Sequence, residues 1–348
     1  MTIWVQRHKI VSAILLVTIA GGGVVAYLLA TEKPETPAAP VVTKKATPKP
    51  QKKYYSPLTG KLVTDEFATM QPVTAIMLEN SPEARPQSGL KQAGVVYEAI
   101  AEGGITRFLT FYQQEKPQVI GPVRSLRMYY VDWLAAYDAS IAHVGGSKAA
   151  LDEVRGGNYR DIDQFFNGDS YWRANDRRAP HNVYTSFDRL DKLNASNNYT
   201  KSTFTSFPRV DGKAVNPPNA TTISVKVSST TYNSDYTYDA TTNSYRRNQG
   251  GAPHLDREEG QIQPNVVIAM KVNMSRVQED GYRENIETIG TGQAIIFQNG
   301  TATEATWHKP DRATTIRFTE ANGAEIPLVR GQTWITAVPN VTGSVSWQ

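Results

Sequence analysis

Arginine residues stand beside glycine turns and predicted helix starts, a pattern that suits the binding of an anion. Glu102 and Arg107 flank a double-glycine turn, and Arg124 and Arg127 stand at the start of a predicted helix. Free backbone N–H groups and the helix dipole favour negative charge at such a start. The planar guanidinium group binds carboxylate or phosphate through two parallel hydrogen bonds. These stretches therefore predict a pocket for an anionic group.

Two histidines belong to comparable stretches. His143 closes a predicted strand before a Gly-Gly-Ser turn, and His181 follows two arginines and a proline. Alternatively, each arginine forms a structural ion pair with one of the acids Glu79, Glu98, Glu102, Asp132 and Asp138. The predicted ligand-binding residues are Glu102, Arg107, Arg124, Arg127, Asp132, His143, Gly145, Gly146, Ser147, Arg178, His181 and Asn182.

The same residue types permit a catalytic interpretation. His143 or His181 would act as general base, an acid such as Asp132 or Glu102 would orient it, and arginines would stabilise an oxyanion. Ser147 lacks the G-x-S-x-G elbow of a serine hydrolase. The S-x-x-K match at 88–91 has no S-D-N or K-T-G partner, so chance explains it better. The sequence thus leaves catalysis open and favours binding.

Metal and cofactor sites are not expected. The chain has no cysteine and five histidines, which excludes disulfides, thiol catalysis and cysteine-based zinc sites. His254 and Asp256 have residue types that ligate cations, but a solvated turn explains this pair better. We therefore predict neither a structural metal nor a cofactor.

The elements that would position these residues follow from hydrophobic patterning. Strands are predicted at 73–78, 95–100, 105–112 and 140–144, and helices at 126–137, 148–154 and 187–193. Further strands are predicted at 223–227, 266–272, 294–297, 314–318 and 333–338, with hairpin turn signals at 299–300 and 322–323. The expected fold class is α+β, with a mixed α/β N-terminal domain at 54–205 and a smaller, mostly β C-terminal domain at 206–348.

The first 53 residues predict a membrane anchor and a spacer. Residues 10–30 form an uncharged, mainly apolar run, long enough for a helix that crosses a bilayer. We assign 1–30 to a signal-anchor segment, with cleavage near Val24-Val25-Ala26 as the alternative. Residues 31–53 hold five prolines and six lysines, which predicts an extended linker. The expected location is the cell membrane, crossed once, with the C-terminal part outside the cytoplasm.

Charge distribution argues against a nucleic-acid partner. The net charge is +4, yet the 295 residues after position 53 carry 29 basic and 31 acidic groups. The basic excess therefore lies in the anchor and the linker, where it favours contact with anionic lipid or wall polymer. A basic face for nucleic acid is not expected on the folded part.

The ordered motifs resemble those of the YerB-like family of bacterial envelope lipoproteins. The motifs of the N-terminal part are Arg85-Pro86-Gln87-Ser88-Gly89, Val95-Val96-Tyr97-Glu98, Glu102-Gly103-Gly104-Ile105-Thr106-Arg107, Gly121-Pro122-Val123-Arg124-Ser125, His143-Val144-Gly145-Gly146-Ser147 and Ala179-Pro180-His181-Asn182. Those of the C-terminal part are His254-Leu255-Asp256, Asn265-Val266-Val267-Ile268, Gly290-Thr291-Gly292 and Gly331-Gln332-Thr333-Trp334-Ile335. The resemblance runs from about residue 57 to residue 339. It implies an extracytoplasmic protein with two domains, and it implies little about activity.

One departure concerns the anchor, because members of this family commonly carry a lipobox cysteine and this sequence has none. The membrane segment would then hold the protein in place. The favoured function is a membrane-anchored binding or regulatory protein that recognises an anionic wall component or a membrane-bound wall-synthesis partner. The alternatives are a cell-wall polymer hydrolase or transferase, and a structural spacer without a ligand.

Overall fold

Strands dominate the computed structural model, which describes residues 52–276 and 283–348. The predicted membrane segment at 1–30 and the linker up to residue 51 lie outside the described residues. Lys52–Gln348 belong to one unit. In chain order the α-helices are α1 (Glu66–Thr69), α2 (Met128–Leu134), α3 (Lys148–Val154) and α4 (Phe187–Ser196). Short 3-10 helices cover Pro82–Ala84, Leu90–Gln92, Ala135–Tyr137 and Gly168–Ser170.

The strands are numbered along the chain. The first group is β1 (Tyr54–Tyr55), β2 (Leu62–Val63), β3 (Thr74–Glu79), β4 (Val95–Glu102), β5 (Ile105–Tyr112), β6 (Ser140–Ala142), β7 (Arg160–Asp161), β8 (Tyr171–Arg173), β9 (Val183–Thr185), β10 (Arg209–Val210), β11 (Thr222–Lys226), β12 (Ser234–Asp239) and β13 (Ser244–Gln249). The second group is β14 (Ala252–Pro253), β15 (Leu255–Asp256), β16 (Gly260–Gln261), β17 (Val266–Val272), β18 (Met274–Arg276), β19 (Glu284–Ile286), β20 (Gly290–Gln298), β21 (Thr301–Lys309), β22 (Arg317–Thr319), β23 (Leu328–Val329), β24 (Thr333–Pro339) and β25 (Ser344–Trp347).

A ten-stranded sheet is the central element, in the order β22-β21-β20-β17-β24-β4-β5-β3-β6-β7. Its middle joins distant parts of the chain, because β24 pairs in parallel with β4, and Trp334 lies opposite Val96. A second, five-stranded sheet has the order β14-β13-β12-β11-β25. The central sheet therefore takes strands from both sides of the boundary predicted at residues 205 and 206, and that boundary stays a prediction.

Both faces of the middle of the central sheet are buried, because residues on both sides of β3, β4, β5, β17 and β24 are almost all buried. In β17, Val266, Ile268 and Met270 belong to one hydrophobic cluster, whereas Val267 and Ala269 belong to another. The first cluster packs against α2 and α3. The opposite face is covered by α4 together with β8 and β9, and, further along, by the five-stranded sheet.

Several predicted elements agree closely with the structure. The helix predicted at 148–154 is α3, and the strands predicted at 105–112 and 266–272 are β5 and β17. Gly103 and Gly104 both have positive φ in the two-residue turn between β4 and β5, a backbone geometry that glycine adopts without strain. Asn299 and Gly300 form the corresponding turn between β20 and β21.

Other predicted bounds differ from the observed ones. The helix predicted at 126–137 is α2 followed by a 3-10 turn, and the strand predicted at 314–318 begins only at Arg317. Thr314 instead donates its backbone N–H to Asp311, and such local side-chain bonds compete with strand pairing. Strands β12 and β13 were not predicted, because their polar sequences carry little hydrophobic alternation.

A buried ion pair lies between two of the hydrophobic clusters. Along β4, Val96 and Ile100 belong to separate clusters on one face, and Glu98 stands between them on the same face. Arg247 of β13 donates to Glu98 Oε2 at 2.8 Å, and both side chains are fully buried. This pair therefore joins the two sheets inside the core.

Each remaining polar atom of this pair has further partners. Glu98 Oε2 accepts from Trp334 Nε1 at 2.9 Å, and Glu98 Oε1 accepts from Thr106 Oγ1 at 3.2 Å. The Arg247 guanidinium lies 4.5 Å from the Trp334 ring centroid and also donates to Tyr236 and His254. The desolvation of two charges is offset only when such additional bonds are made.

We predict that Arg247→Met lowers the free energy of unfolding by about 3 to 5 kcal/mol, because it leaves a buried carboxylate unpaired. The neighbouring Arg246 provides a matched control. It pairs with Asp239 at 2.5 Å, but its side chain is 56% exposed, so Arg246→Met costs less than about 1 kcal/mol. Urea denaturation followed by circular dichroism measures both values. Equal losses in the two variants would contradict the assigned role of the Glu98–Arg247 pair.

Candidate functional site

The candidate site lies where several strands of the central sheet end. Strands β3, β4, β6 and β7 run in the same direction, because β6 is parallel to both β3 and β7 and because β5 is antiparallel to both β3 and β4. We call the common end of these strands the carboxyl edge. It carries Glu79, Glu102, His143 and Asp161. Ligands of open sheets commonly bind at such an edge.

The stretch 122–127 brings two of the predicted motifs together at this edge. Glu79 donates its backbone N–H to Pro122 O at 2.9 Å, so the stretch extends the sheet beside the end of β3. On its other side, Val144 donates to Arg124 O at 3.1 Å, and Leu126 donates to Gly145 O at 3.0 Å. The arginine motif and the glycine turn after His143 are therefore neighbours, as the anion-pocket hypothesis requires.

Three of the predicted ligand-binding residues instead form a closed ion cluster. Glu102 accepts from Arg107, and its second oxygen accepts from Arg127 Nε and Nη2 at 2.9 and 2.7 Å. Arg107 and Arg127 are also bound to the carbonyls of Ser125 and Leu126. All three side chains are buried. Burial, and then the nearby charge of Arg107, lower the pKa of Arg127. This cluster holds the edge together and is not open to a ligand.

A second carboxylate, Glu79, contacts side chains that are partly exposed to solvent. Its Oε1 atom lies 2.9 Å from His181 Nδ1 and 3.2 Å from Arg124 Nε. Ser81 Oγ donates to the same oxygen at 3.1 Å. The Glu79 side chain is 5% exposed, whereas His181 and Arg124 are 22% and 24% exposed. The predicted residues Arg124 and His181 thus share one buried acid that sequence reasoning assigned only to ion pairing.

His181 opens into a surface cleft of about 630 Å³, which we call the arginine cleft. The residues that line it are Glu83, Pro86, Asp176, Arg177, Arg178, Ala179, His181 and Arg257. The cleft contains three guanidinium groups and two carboxylates besides His181. Of the predicted ligand-binding residues it contains Arg178 and His181. Arg257 is not among the predicted residues, although it begins the turn that ends at Gly260, a glycine with positive φ.

The three arginines of the cleft have different partners. Arg177 donates to the backbone carbonyls of Glu83 and Pro86, each at 2.6 Å, and forms no ion pair within residues 52–276 and 283–348. Arg257 pairs with Asp176 at 2.6 Å. Arg178 is exposed and has no ion pair or side-chain hydrogen bond within residues 52–276 and 283–348. The cleft therefore has a positive excess, and Arg178 is the group available for an anion.

Asp132 and Asn182 bind other residues of the protein. Asp132 pairs with Arg312 at 2.8 Å and accepts from Thr288 at 2.5 Å. Asn182 is buried and accepts from Arg173 at 2.8 Å. Asp132 orients neither His143 nor His181, so that part of the catalytic hypothesis is wrong.

His143 is fully buried and does not contact Ser147. Its Nε2 lies 2.9 Å from Asp161 Oδ1, and its Nδ1 lies 2.8 Å from Gly145 O. Gly145 donates its N–H to Asp163 at 3.1 Å, while Gly146 and Ser147 pack along Leu126. His143 is therefore not arranged as a general base for Ser147, because both imidazole nitrogens already face oxygen atoms of the turn and of β7.

The S-x-x-K match also has a structural explanation. Ser88 is fully buried and donates to Glu258 at 3.0 Å, while Lys91 Nζ donates to the carbonyl of Glu259 at 2.6 Å. The serine and the lysine thus bind the same acidic turn rather than each other. The structure agrees with chance as the origin of this match.

His254 and Asp256 belong to the buried interior, so the interpretation as a solvated turn is wrong. His254 Nε2 lies 3.0 Å from Gln87 Oε1, and its Nδ1 faces Arg247. Asp256 accepts backbone N–H groups, including that of Lys91 at 3.0 Å. In the part of the chain that the structure describes, no group of three or more candidate ligands is arranged around a metal position.

Among the residues described, none of the helices is both long and apolar enough to span a bilayer. The run at 10–30, on which the membrane prediction rests, is not among them.

Comparison with known proteins places this geometry in a family. The model described as "Protein of unknown function (DUF3048) N-terminal domain" matches residues 58–200, and that of its C-terminal domain matches residues 223–335. A Bacillus subtilis (strain 168) protein named "Putative lipoprotein YerB" is 33% identical over 304 residues, which cover 86% of this chain and 90% of that protein. A crystal structure of the YerB protein from Bacillus subtilis is 30% identical with a TM-score of 0.75, and the match covers 84% of this chain and all of that one.

His254 gives the stability of the fold a pH dependence. Burial, followed by the charges of Arg247 and Arg85, holds its pKa well below the usual 6.5. As the pH falls, His254 therefore binds a proton in the unfolded chain before it does so in the folded protein. The free energy of unfolding then decreases as the pH drops below about 6.5. We predict that this contribution, up to about 1.4 kcal/mol per pH unit, is absent in His254→Gln. Urea unfolding at pH 5 and 7 measures it, and equal pH slopes for the two proteins would contradict the prediction.

Proposed function

The chain belongs to the DUF3048 family, and from this premise we propose that it is an extracytoplasmic, membrane-anchored protein of the bacterial cell envelope that binds an anionic wall polymer in the arginine cleft. The relative's name, which contains the word lipoprotein, supports the envelope location. The apolar run at 10–30 and the proline-rich linker support a single membrane-crossing anchor. The proposal includes a mixed α/β domain at 54–205 and a mostly β domain at 206–348.

The observation that carries the binding function is the unneutralised positive charge of the cleft. Arg178 forms no ion pair among the residues described, and Arg177 donates its hydrogen bonds to backbone carbonyls. The Arg257–Asp176 pair is close to neutral, which leaves Glu83 as the remaining acid of the lining. An arginine that no acid neutralises is suited to phosphate or carboxylate.

A phosphate-rich polymer suits the cleft better than a protein partner. The lining is polar and charged, and it lacks the buried aromatic or aliphatic anchors that dominate protein interfaces. A chain of phosphodiesters offers repeated negative charge, and each phosphate provides two oxygens for a guanidinium fork. A membrane-bound wall enzyme is the alternative partner, and its binding would not require Arg178.

We predict that Arg178→Ala weakens the binding of poly(glycerol phosphate) by the full-length protein about tenfold, because one charge-assisted contact is lost. Arg317→Ala is the matched control, since Arg317 is also exposed but belongs to β22, the strand at the far end of the central sheet. Isothermal titration calorimetry in mild detergent measures both affinities. Equal affinities of the two variants, or no binding by the wild type, would contradict the proposal that the arginine cleft is the binding site.

A further inference from the structure

Glu79 and His181 form a carboxylate–imidazole dyad at the inner wall of the arginine cleft. Glu79 Oε1 lies 2.9 Å from His181 Nδ1, and the carboxylate is almost fully buried. No hydrogen-bond partner of His181 Nε2 exists among residues 52–276 and 283–348, and the side chain lines the cleft. The arrangement thus leaves one imidazole nitrogen bound to a buried acid and the other directed toward any occupant of the cleft.

The buried acid determines which nitrogen carries the proton. A carboxylate accepts the Nδ1–H bond, so the neutral imidazole presents the lone pair of Nε2. Ser81 Oγ donates to the same Glu79 oxygen, and Arg124 Nε lies 3.2 Å from it. These contacts hold the Glu79 carboxylate in position. A histidine held in this way is arranged as a general base.

Ser81 is not placed as a nucleophile. Its Oγ atom lies 3.2 Å from His181 Nδ1, which is the nitrogen that also faces Glu79. In a serine triad the hydroxyl faces one imidazole nitrogen and the acid faces the other. Water in the cleft, rather than Ser81, is therefore the group that Nε2 can activate.

We propose that this dyad hydrolyses a phosphodiester bound in the arginine cleft, an inference that rests on the proposed function because it uses the same site. His181 Nε2 takes a proton from a water molecule whose oxygen attacks phosphorus. The P–O bond to the leaving alcohol breaks, the leaving oxygen takes a proton from solvent water, and the imidazolium releases its proton to solvent. The products are a phosphomonoester and an alcohol, and neither an oxidant nor a co-reactant is needed.

The arginines of the cleft complement this reaction. The transition state spreads negative charge over the non-bridging oxygens, which guanidinium groups stabilise. Arg178 is exposed and has no ion pair among the residues that the structure describes, while Arg177, held by the carbonyls of Glu83 and Pro86, supplies a fixed positive charge. Positively charged side chains beside a histidine base favour phosphoryl transfer over the cleavage of a neutral amide.

The charged groups that face His181 determine the expected pH profile. From its own and neighbouring segments these are Glu79, Glu83, Arg124, Asp176, Arg177, Arg178 and Arg257. Glu79 acts through His181 and is a positioning residue, so its replacement should alter the pH profile of the turnover number with little change in KM.

The test uses the full-length protein in mild detergent with bis(p-nitrophenyl) phosphate, whose hydrolysis releases p-nitrophenolate. We expect His181→Asn to lower the turnover number at least about 100-fold with KM nearly unchanged. Glu79→Gln should lower it about tenfold and change its pH profile, while Arg317→Ala remains active. Thermal unfolding confirms that each variant is folded. If the substitution of the buried Glu79 unfolds the protein, the His181→Asn variant still tests the inference, because His181 is partly exposed.

Three outcomes would overturn the inference. The first is a wild type that binds poly(glycerol phosphate) but hydrolyses neither that polymer nor the small diester. This result would contradict catalysis by the dyad and would be consistent with the proposed binding function. The second is turnover that survives His181→Asn. The third is a wild type that neither binds nor hydrolyses, in which case the proposed function fails as well.

Discussion

The buried pair of Glu98 and Arg247 is the interaction on which the arrangement of the two sheets depends. A charged pair without water is tolerable only when each donor and acceptor has a partner, and here Trp334 and Thr106 complete the carboxylate's bonds. Because Glu98 belongs to β4 and Arg247 to β13, residues 149 positions apart must fold together to satisfy either charge. The pair therefore couples the central sheet to the five-stranded sheet.

The same strand that carries Glu98 ends at Glu102, so the buried pair and the carboxyl edge share one rigid element. Glu102 binds Arg107 and Arg127 and holds the stretch 122–127 beside the end of β3. This stretch carries Arg124 toward Glu79. The accessible groups of the cleft thus rest on a framework whose own charges are satisfied internally.

Sequence patterns predicted strands and turns well where the pattern was strong and involved residues close together in the chain. The glycine pair at 103 and 104 and the apolar run at 266–272 define backbone geometry within a few residues. The candidate site was predicted only in part, since Arg178 and His181 are the predicted residues among the eight that line the cleft, whereas Arg107 and Arg127 are bound to Glu102. Neither composition nor spacing reveals which arginine finds an acid, because that partner comes from another strand.

By itself, the amino-acid sequence determined the family, the alternation of strands, the tight turns and the residue types able to bind an anion. The strands and turns depend on patterns among residues close in the chain, whereas the family follows from the order of many motifs along the sequence. Only the tertiary structure decided that Glu79 contacts His181, that Arg247 is buried against Glu98, and that Arg178 forms no ion pair in the part of the chain described. The reason is physical, because the state of a charged group depends on its solvent exposure and on neighbours that are remote along the chain.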